Sequence, residues 1–401
     1  MSVTQGPAGR QTGTTTWLVL YSISLCHLIN DVMQSTLAAI YPLLRAEFQL
    51  SYAQIGLLSA AFMVTASILQ PLVGAVTDRH PQPRSLPVGM SASLVGVFLL
   101  GTAQHYGTLL TGAMLIGIGS AVFHPESSRV ARIASGGRFG TAQSLFQLGG
   151  YFGQSMGPLL AAFVVVPLGR PSVAWFAVAA ALGVALLWRI GDWAEGRRRS
   201  NTAAPDTRLK LPRPVVIRAI VVLAVLVFVK NIYTASMGSY LTFFVIDRFG
   251  VGPRGGQLML FLFMAGMAAG VMLGGIVGDR VGTLRVIWFS VLGVLPFTLM
   301  LPHVGLAATA VLCVVIGLIL ASAFPAILVF AQELVPGRTG TIAGVFFGFA
   351  FGMGGIAAAM LGLLADATSI RFVFLLCSVL PIFGCLTILL PRLPRLEPTP
   401  A

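Results

Sequence analysis

Apolar side chains occur along the chain in long runs separated by short polar gaps. Each run approaches the roughly 20 helical residues that cross about 30 Å of hydrocarbon. Twelve such segments are predicted, near residues 17–44, 52–76, 85–103, 107–133, 139–166, 172–191, 215–246, 257–278, 284–301, 305–331, 339–366 and 369–390. Because twelve is an even number, both termini are predicted to lie on the same side of the membrane.

The composition excludes a soluble globular enzyme. Of the 401 residues, 56% are hydrophobic and only 9% are charged, whereas about 25% of the residues of a soluble domain are charged. The four cysteines lie inside apolar segments without metal-ligand spacing, so we expect them to pack as small hydrophobic residues and expect no metal site. The sequence predicts an all-α protein that crosses the membrane many times.

The basic residues are distributed unevenly between the gaps. Nineteen of the 25 Lys and Arg residues lie in one alternating set of gaps and five in the other, while Lys230 lies inside a segment. Cytoplasmic loops are enriched in Lys and Arg, so both termini are predicted to be cytoplasmic. This topology explains the net charge of +13 better than a nucleic-acid-binding surface does, because the charges form no single stripe.

The longest polar gap divides the twelve segments six and six. Residues 192–214 are basic and polar, and we expect a flexible cytoplasmic linker there. The chain is thereby divided into one six-helix bundle over residues 1–191 and a second over residues 215–401.

The two halves repeat the same residues at a nearly constant offset. The matches 201 positions apart are Asn30 with Asn231, Gly74 with Gly275, Asp78 with Asp279, Arg79 with Arg280, and Arg84 with Arg285. The matches 200 positions apart include Gly137 with Gly337, Arg138 with Arg338, Gly140 with Gly340, and Thr141 with Thr341. This register predicts two pseudo-symmetric bundles with a substrate pathway at their interface near the middle of the bilayer.

These residues resemble the major facilitator superfamily, whose members have a Gly, an Asp-Arg pair and trailing basic residues in this loop of each half. Gly149, Gly153, Gly157 and Pro158 resemble the Gly-Pro motif of the drug:proton antiporters of that superfamily. Residues 24–48, 120–138, 319–338 and 346–366 are similar to its bacterial fosmidomycin-resistance family. The resemblance implies a monomer in the bacterial inner membrane that exchanges protons for fosmidomycin, a small phosphonate antibiotic, and for other toxic compounds, without a cofactor.

Polar side chains form one stripe on the first segment. His27, Asn30, Asp31 and Gln34 follow helical spacing, and Asp31 lies about midway along the helix. Because a charged group at the centre of the bilayer costs about 2.5–3.5 kcal/mol on insertion scales, it needs a partner, a cavity or a function. Asp31 is predicted to bind the coupled proton, with His27 and Asn30 beside it. A hydrogen-bonded network that fixes helix packing is one alternative. Contact with the substrate is the other, and His27, Asn30 and Gln34 are also predicted to line the substrate site.

Lys230 lies almost centrally in the seventh segment, and Asn231, Tyr233 and Tyr240 are predicted to accompany it at the substrate site. The repeat makes the first and seventh segments equivalent, so Lys230 could offer a positive charge to a phosphonate. An ion pair between Lys230 and Asp31 is the alternative. His124, in the fourth segment, is a second candidate contact for the anion, or a structural histidine.

Other charged residues are predicted to act at the cytoplasmic gate. Glu126, spaced i, i+3 from Arg129, is either a second proton site or part of a local charge network. The predicted gating residues are Asp78, Arg79, Arg84, Arg129, Asp279, Arg280 and Arg285. Gly149, Gly153, Gly157 and Pro158 are predicted to pack helices closely, and the Phe residues of 346–355 to fill space.

The sequence thus favours proton-coupled export by alternating access. Proton-coupled uptake of an organic or phosphorylated anion is the alternative within the transporter class. A membrane sensor or enzyme without transport is disfavoured because the polar residues line helices. We find no P-loop, zinc-ligand spacing or nucleophile elbow in the sequence.

Overall fold

All regular secondary structure is helical in the described residues, which are 15–82, 84–200 and 211–393 of the computed structural model. The first half contains α1 (Trp17–Ala39), α2 (Tyr41–Phe48), α3 (Tyr52–Arg79), α4 (Ser85–Thr102), α5 (Tyr106–Ala134), α6 (Phe139–Leu160), a π-helical turn (Ala161–Val165), α7 (Val166–Leu168), a 3-10 helix (Arg170–Trp175) and α8 (Phe176–Ser200). The second half contains α9 (Arg213–Phe249), α10 (Pro253–Val281), α11 (Thr283–Val291), α12 (Leu295–Met300), α13 (Leu306–Ala321), α14 (Ala323–Leu334), α15 (Thr339–Ala367), α16 (Ile370–Ser378) and a 3-10 helix (Leu380–Leu389).

Eleven helical stretches among the described residues are long and apolar enough to cross a membrane. α1 is not one of them, although its 23 residues extend over about 35 Å at 1.5 Å per residue. The polar stripe around Asp31 lowers the hydropathy of α1. The helix is therefore long enough to cross the membrane but less apolar than the eleven other stretches. The predicted all-α polytopic membrane fold is confirmed.

Helix ends differ from the predicted segments at the centre of the chain. The prediction of a flexible linker from residue 192 was wrong for residues 192–200, because α8 continues to Ser200. Ala, Glu and Arg in this stretch are good helix formers, and no proline interrupts it. α9 begins at Arg213, and residues 201–210 of the predicted linker lie outside the described residues.

Local signals at several helix ends explain where the helices begin and end. Ser51 forms a capping box at α3: its Oγ accepts from Gln54 N at 3.1 Å, and Gln54 Oε1 accepts from Ser51 N at 2.9 Å. Gly250 ends α9 with a φ of 63°, and Gly282 separates α10 from α11 with a φ of 97°. Both conformations favour glycine.

Helix packing follows the repeat. α1 packs against α6 and α4 against α5 in the first half, and α10 packs against α13 in the second. Across the halves, α3 packs against α15 and α10 against α6. Since the offset makes α3 equivalent to α10 and α6 equivalent to α15, these two contacts between halves correspond to each other.

Candidate functional site

A buried polar cluster surrounds Asp31 in the middle of α1, where only 1% of the residue is exposed. Asn30 and Gln34 donate from their side-chain amides to Asp31 Oδ1, each at 3.0 Å. Gln154 of α6 donates to Oδ2 at 2.9 Å. Three amide hydrogen bonds therefore hold the carboxylate in place.

Two buried histidines complete this cluster. His27 Nδ1 lies 2.7 Å from the carbonyl oxygen of Phe146, and His124 Nδ1 lies 3.0 Å from the carbonyl oxygen of Ser120. The Nε2 atoms of the two rings face each other at 3.2 Å. They lie 3.5 Å (His27 to Oδ2) and 3.7 Å (His124 to Oδ1) from the Asp31 carboxylate. α1 and α5 thus bring three ionisable groups together.

Aromatic rings enclose the histidines. The His27 ring stacks on Phe146 with 4.1 Å between centroids. Phe347 and Phe351 of α15 each lie 5.1 Å from the His124 ring, centroid to centroid. The second half therefore contributes the apolar wall of the cluster, and the prediction that the Phe residues of 346–355 only fill space missed this contact.

Gln154 lies at the border between the buried cluster and the surface of α6. Its side chain is exposed even though it donates to buried Asp31. One helical turn beyond Asp31, a cavity of about 600 Å³ lies between α1 and the end of α6. The cavity is lined by Ser35, Ala38, Ala39, Pro158, Ala161, Ala162 and Val166. We call this end of the molecule, where α1 and α6 end, the far end.

Lys230 is buried in α9, with 4% of the residue exposed. Its Nζ lies 5.4 Å from the ring centroid of Phe324, a cation–π contact. Phe324 touches Phe347, which touches His124, with centroid distances of 5.3 and 5.1 Å. In the described part of the chain Lys230 has no carboxylate within 4.0 Å, so the alternative of an ion pair with Asp31 is not formed.

The remaining predicted substrate residues of α9 lie apart from the Asp31 cluster. Asn231 donates to the carbonyl oxygen of Ala350 at 3.4 Å, and Tyr240 donates to that of Ala358 at 2.6 Å. Tyr233 is buried in the apolar core of the second half. Tyr240 lies on the same side of α9 as Lys230, but ten residues later, which is about 15 Å along the helix axis. Helical spacing indicated a shared face and did not indicate this distance between the two side chains.

Glu126 and Arg129 join α5 to the end of α3. Arg129 donates to the carboxylate of fully buried Glu126, and its NH1 donates to the carbonyl oxygen of Thr77 at 2.8 Å. The structure therefore contains the predicted local charge network, while proton binding by Glu126 stays a prediction.

Two aspartates connect the halves at the end opposite the far end, which we call the gate end. Asp78 accepts hydrogen bonds from Gly340 N at 2.9 Å, Thr341 N at 2.6 Å and Thr341 Oγ1 at 2.7 Å. Each carboxylate meets the first turn of a helix in the other half, where backbone amides and the helix dipole favour a negative charge. The N-terminus of α15 is thereby fixed to the end of α3.

Asp279 repeats this arrangement with the halves exchanged. It accepts from Gly140 N and Thr141 N at 2.8 Å each, and from Thr141 Oγ1 at 2.6 Å. The N-terminus of α6 is thereby fixed to the end of α10. Both contacts are formed, so the two halves are joined at the gate end.

The arginines predicted at the gate do not join the halves. Arg84 is exposed and pairs with Asp192 of α8 at 3.6 Å, because the turn after α3 directs it along its own half. Arg285 donates to a carbonyl of its own half at 3.1 Å. Arg79 and Arg280 are exposed, and neither makes a hydrogen bond across the halves in the described residues. The aspartates of the repeated motif, not its arginines, make the contact.

The predicted packing glycines lie against α1. A Cβ at Gly149 would lie 2.0 Å from the carbonyl oxygen of Ser24, and one at Gly153 would lie 2.4 Å from that of Leu28. At Gly157 it would lie 1.9 Å from Ser35 Oγ. Only glycine permits this approach of α6 to α1. Pro158 precedes the π-helical turn of Ala161–Val165, a deviation expected near a helical proline.

Sequence reasoning missed Gln154 and Gly150 on α6. A Cβ at Gly150 would lie 2.6 Å from His27 Nε2 and 3.0 Å from Asp31 Oδ2. Gln332 of α14 was missed as well. Its side chain accepts a hydrogen bond from Arg132 at 3.3 Å across the halves. Because Gln332 stands 200 positions after Arg132, the offset could have pointed to it. No periodic pattern marks Gly150 or Gln154, because their partners lie on a distant segment.

Comparison with known proteins agrees with this architecture. A family model described as Major Facilitator Superfamily matches residues 23–359. The chain belongs to the major facilitator superfamily. Two curated relatives of this major facilitator protein span nearly its whole length. The fosmidomycin resistance protein of Escherichia coli (strain K12) is 53% identical over 94% of this chain and 93% of its own. The uncharacterized MFS-type transporter YfnC of Bacillus subtilis (strain 168) is 38% identical over 94% of each chain.

Solved structures share the major facilitator fold. The human organic anion transporter MFSD10 superposes with a TM-score of 0.74 at 16% identity, over 92% of this chain and 98% of that chain. The Escherichia coli transporter FucP, in its outward conformation, gives a TM-score of 0.72 at 17% identity, over 94% and 99%. The predicted fold is therefore confirmed, and the protein is a transporter of this superfamily.

Proposed function

We propose that the protein is a proton-coupled antiporter of the bacterial inner membrane that exports fosmidomycin, and other toxic compounds, by alternating access. The similarity to the fosmidomycin resistance protein over 94% of the chain supports the substrate. The positive-inside rule supports a cytoplasmic gate end and cytoplasmic termini.

The observation that carries the proposal is the group of hydrogen-bond acceptors at Asp31. Because a carbonyl oxygen cannot donate, Nδ1 of His27 must carry hydrogen. Nδ1 of His124 lies 3.0 Å from the carbonyl oxygen and 3.2 Å from Oγ of Ser120, and we assign it a hydrogen from the shorter contact. In the neutral rings each Nε2 is then an acceptor. Two Nε2 atoms and a carboxylate face one another without a donor between them. One added proton supplies that donor, so the cluster is suited to bind and release a single proton.

Lys230 supplies the charge for an anionic substrate. A buried ammonium group without a carboxylate is costly, and a phosphonate would neutralise it. A series of ring contacts runs from Lys230 through Phe324 and Phe347 to His124. It connects the two residues that are proposed to bind the anion, which lie in opposite halves. Binding of the anion near Lys230 would bring substrate and coupled proton to neighbouring positions.

The closed gate explains how the two events alternate. With both aspartate contacts formed, exchange of protons and drug takes place through the far end, beside Gln154. Breaking these contacts opens the cytoplasmic end. Inward movement of each proton charge supplies about 2.3 kcal/mol per 100 mV of membrane potential.

Purified protein in proteoliposomes tests the proposal. Added fosmidomycin should drive proton efflux from loaded vesicles, since drug and proton move in opposite directions. Movement of both in the same direction would identify the protein as an uptake symporter. Drug binding without any coupled flux would favour a sensor and would end the proposal.

Two variants separate the predicted roles of the residues. Asp31→Asn should abolish proton-coupled flux yet permit drug exchange, while Asp192→Asn, which removes an exposed carboxylate, should behave as the unmodified protein. Lys230→Ala should weaken fosmidomycin binding measured by calorimetry at least tenfold, and Lys230→Arg should restore part of it. Coupled transport at normal rate in Asp31→Asn would remove that residue from the proton pathway.

A further inference from the structure

The cluster of His27, Asp31 and His124 has a second chemical capacity besides proton binding. All three side chains are buried, and one ligand atom from each lies within 4.8 Å of the other two. Their hydrogen bonds leave both imidazole Nε2 atoms with free lone pairs directed toward each other and toward the carboxylate. Neutral imidazole nitrogens together with a carboxylate oxygen form a donor set typical of zinc.

The distances fit a tetrahedral ion. Ligand atoms about 2.05 Å from a tetrahedral zinc ion are about 3.3 Å apart. The two Nε2 atoms are 3.2 Å apart. His27 Nε2 lies 3.5 Å from Asp31 Oδ2, and His124 Nε2 lies 3.7 Å from Oδ1, the other oxygen of the same carboxylate. A small rotation of the carboxylate, together with side-chain shifts, would bring one oxygen and both nitrogens to bonding distance.

The surrounding groups orient the ligands as they do in known metal sites. Metal-binding histidines donate their other ring N–H to a carboxylate or a backbone carbonyl, as His27 does to Phe146 and His124 to Ser120. The amides of Asn30, Gln34 and Gln154 hold the carboxylate. Asn30 Oδ1 is buried and has no hydrogen-bond partner in the described residues, so an uncommitted oxygen lies beside the cluster.

Gly150 leaves the position free. A Cβ there would lie 2.6 Å from His27 Nε2 and 3.0 Å from Asp31 Oδ2, so a side chain at residue 150 would crowd two of the three proposed ligands. Glycine therefore leaves these ligand atoms unobstructed on the side of α6.

We propose that His27, Asp31 and His124 form a binding site for a divalent transition-metal ion of the zinc class, with a fourth position for water. An ion bound there occupies the Asp31 carboxylate, so Zn²⁺ also inhibits drug flux. Only this inhibition rests on the proposed function, since binding is independent of what the protein transports.

Metal binding to the purified full-length protein in detergent tests the site. Zn²⁺ calorimetry should give one site per chain, and Co²⁺ should give the absorption of a tetrahedral site. His27→Gln and His124→Gln should each weaken binding at least about 100-fold, because the loss even of an outer hydrogen-bonding group costs 10–100-fold. His105→Gln and His303→Gln, which change exposed histidines, are matched controls and should leave binding unchanged.

Two further variants keep the test decisive if a glutamine variant fails to fold. Gly150→Ala changes no ligand and should still abolish Co²⁺ absorption, because its methyl group would lie 2.6 Å from His27 Nε2 and would displace that ring. His124→Cys should restore binding and add a sulfur-to-cobalt charge-transfer band. Absence of binding to the unmodified protein, or unchanged binding in His27→Gln and Gly150→Ala, would overturn the proposal. Metal binding without inhibition of drug flux would contradict only the predicted inhibition, which rests on the proposed function, and would leave the metal site standing.

Discussion

Arg170 shows how one side chain can form hydrogen bonds with several separate segments at the far end. Its Nε donates to Glu47 at 2.7 Å. Its NH1 donates to the carbonyl oxygens of Leu100 and Gly101 at 2.9 and 2.7 Å. These carbonyls lie in the last turn of α4, where no later backbone amide can reach them. Arg170 thus ends α4 and fixes it to α2.

Arg170→Ala should therefore destabilise the protein. Each buried acceptor left without a partner costs about 1–3 kcal/mol, so the thermal unfolding midpoint of the purified protein in detergent should fall by several degrees. Arg170→Lys should recover only part of the loss, since an ammonium lacks the planar fork. Arg371→Ala, at an exposed arginine, serves as the control, and an equal midpoint in the two alanine variants would contradict this role.

The contacts between helices of opposite halves depend on backbone approach at glycine. A Cβ at Gly74 of α3 would lie 2.1 Å from the carbonyl oxygen of Gly340 of α15. A Cβ at Gly275 of α10 would lie 2.3 Å from that of Gly140 of α6. The glycine of the repeated motif lets the helices cross closely enough for the aspartate one turn later to reach an N-terminus.

Gly74→Ala should consequently separate α3 from α15 at the gate end. Overpacking of a well-packed contact costs about 1–3 kcal/mol, which favours the open gate. Spin labels at residues 79 and 338, both exposed, should be farther apart than in the protein that keeps Gly74, as measured by double electron–electron resonance. Cys385→Ser removes the exposed cysteine so that only the chosen positions are labelled. Gly56→Ala, on the same helix with nothing within 4 Å of its Cβ, should leave the distance unchanged, and a change equal to that of Gly74→Ala would refute the steric explanation.

Helices and their equivalence were predictable from the sequence, but contacts between distant segments were not. Apolar runs and the 201-residue offset identified Asp78 and Asp279 as equivalent. An offset shows which residues correspond, but it does not show that each aspartate reaches across to residues 340–341 or 140–141. For the same reason the stripe on α1 predicted Asp31 and His27, while Gln154 and Phe347, on other helices, carried no periodic sign of their role.

The whole molecule is held closed at one end by two corresponding contacts that run in opposite directions between the halves. Asp78 reaches from the first half to the second, and Asp279 reaches from the second to the first. Each joins a carboxylate to a helix N-terminus, an interaction of about 0.5–2 kcal/mol. Two moderate contacts thus join the halves at this end, and under the proposed function binding of substrate or proton would release them.

Asp78→Asn and Asp279→Asn should therefore shift the gate to similar extents. A loss of about 1.4 kcal/mol changes the ratio of open to closed molecules tenfold, and the double variant should change it about 100-fold because the two sites are separate. Spin-label pairs at residues 79 and 338 and at residues 138 and 280 measure these populations. A large effect of one variant and none of the other would show that the two contacts are not equivalent.

The polar stripe of α1 also affects how the chain enters the membrane. α1 is the helix whose composition falls short of a membrane span, yet it carries the carboxylate on which the proposed transport depends. Two partners of Asp31, His124 and Gln154, lie on helices synthesised later, namely α5 and α6. We therefore expect α1 to insert inefficiently in a nascent chain that is truncated after α2, and to insert stably once α6 has been made. Membrane insertion of the protein would then depend on the same residues as its proposed activity.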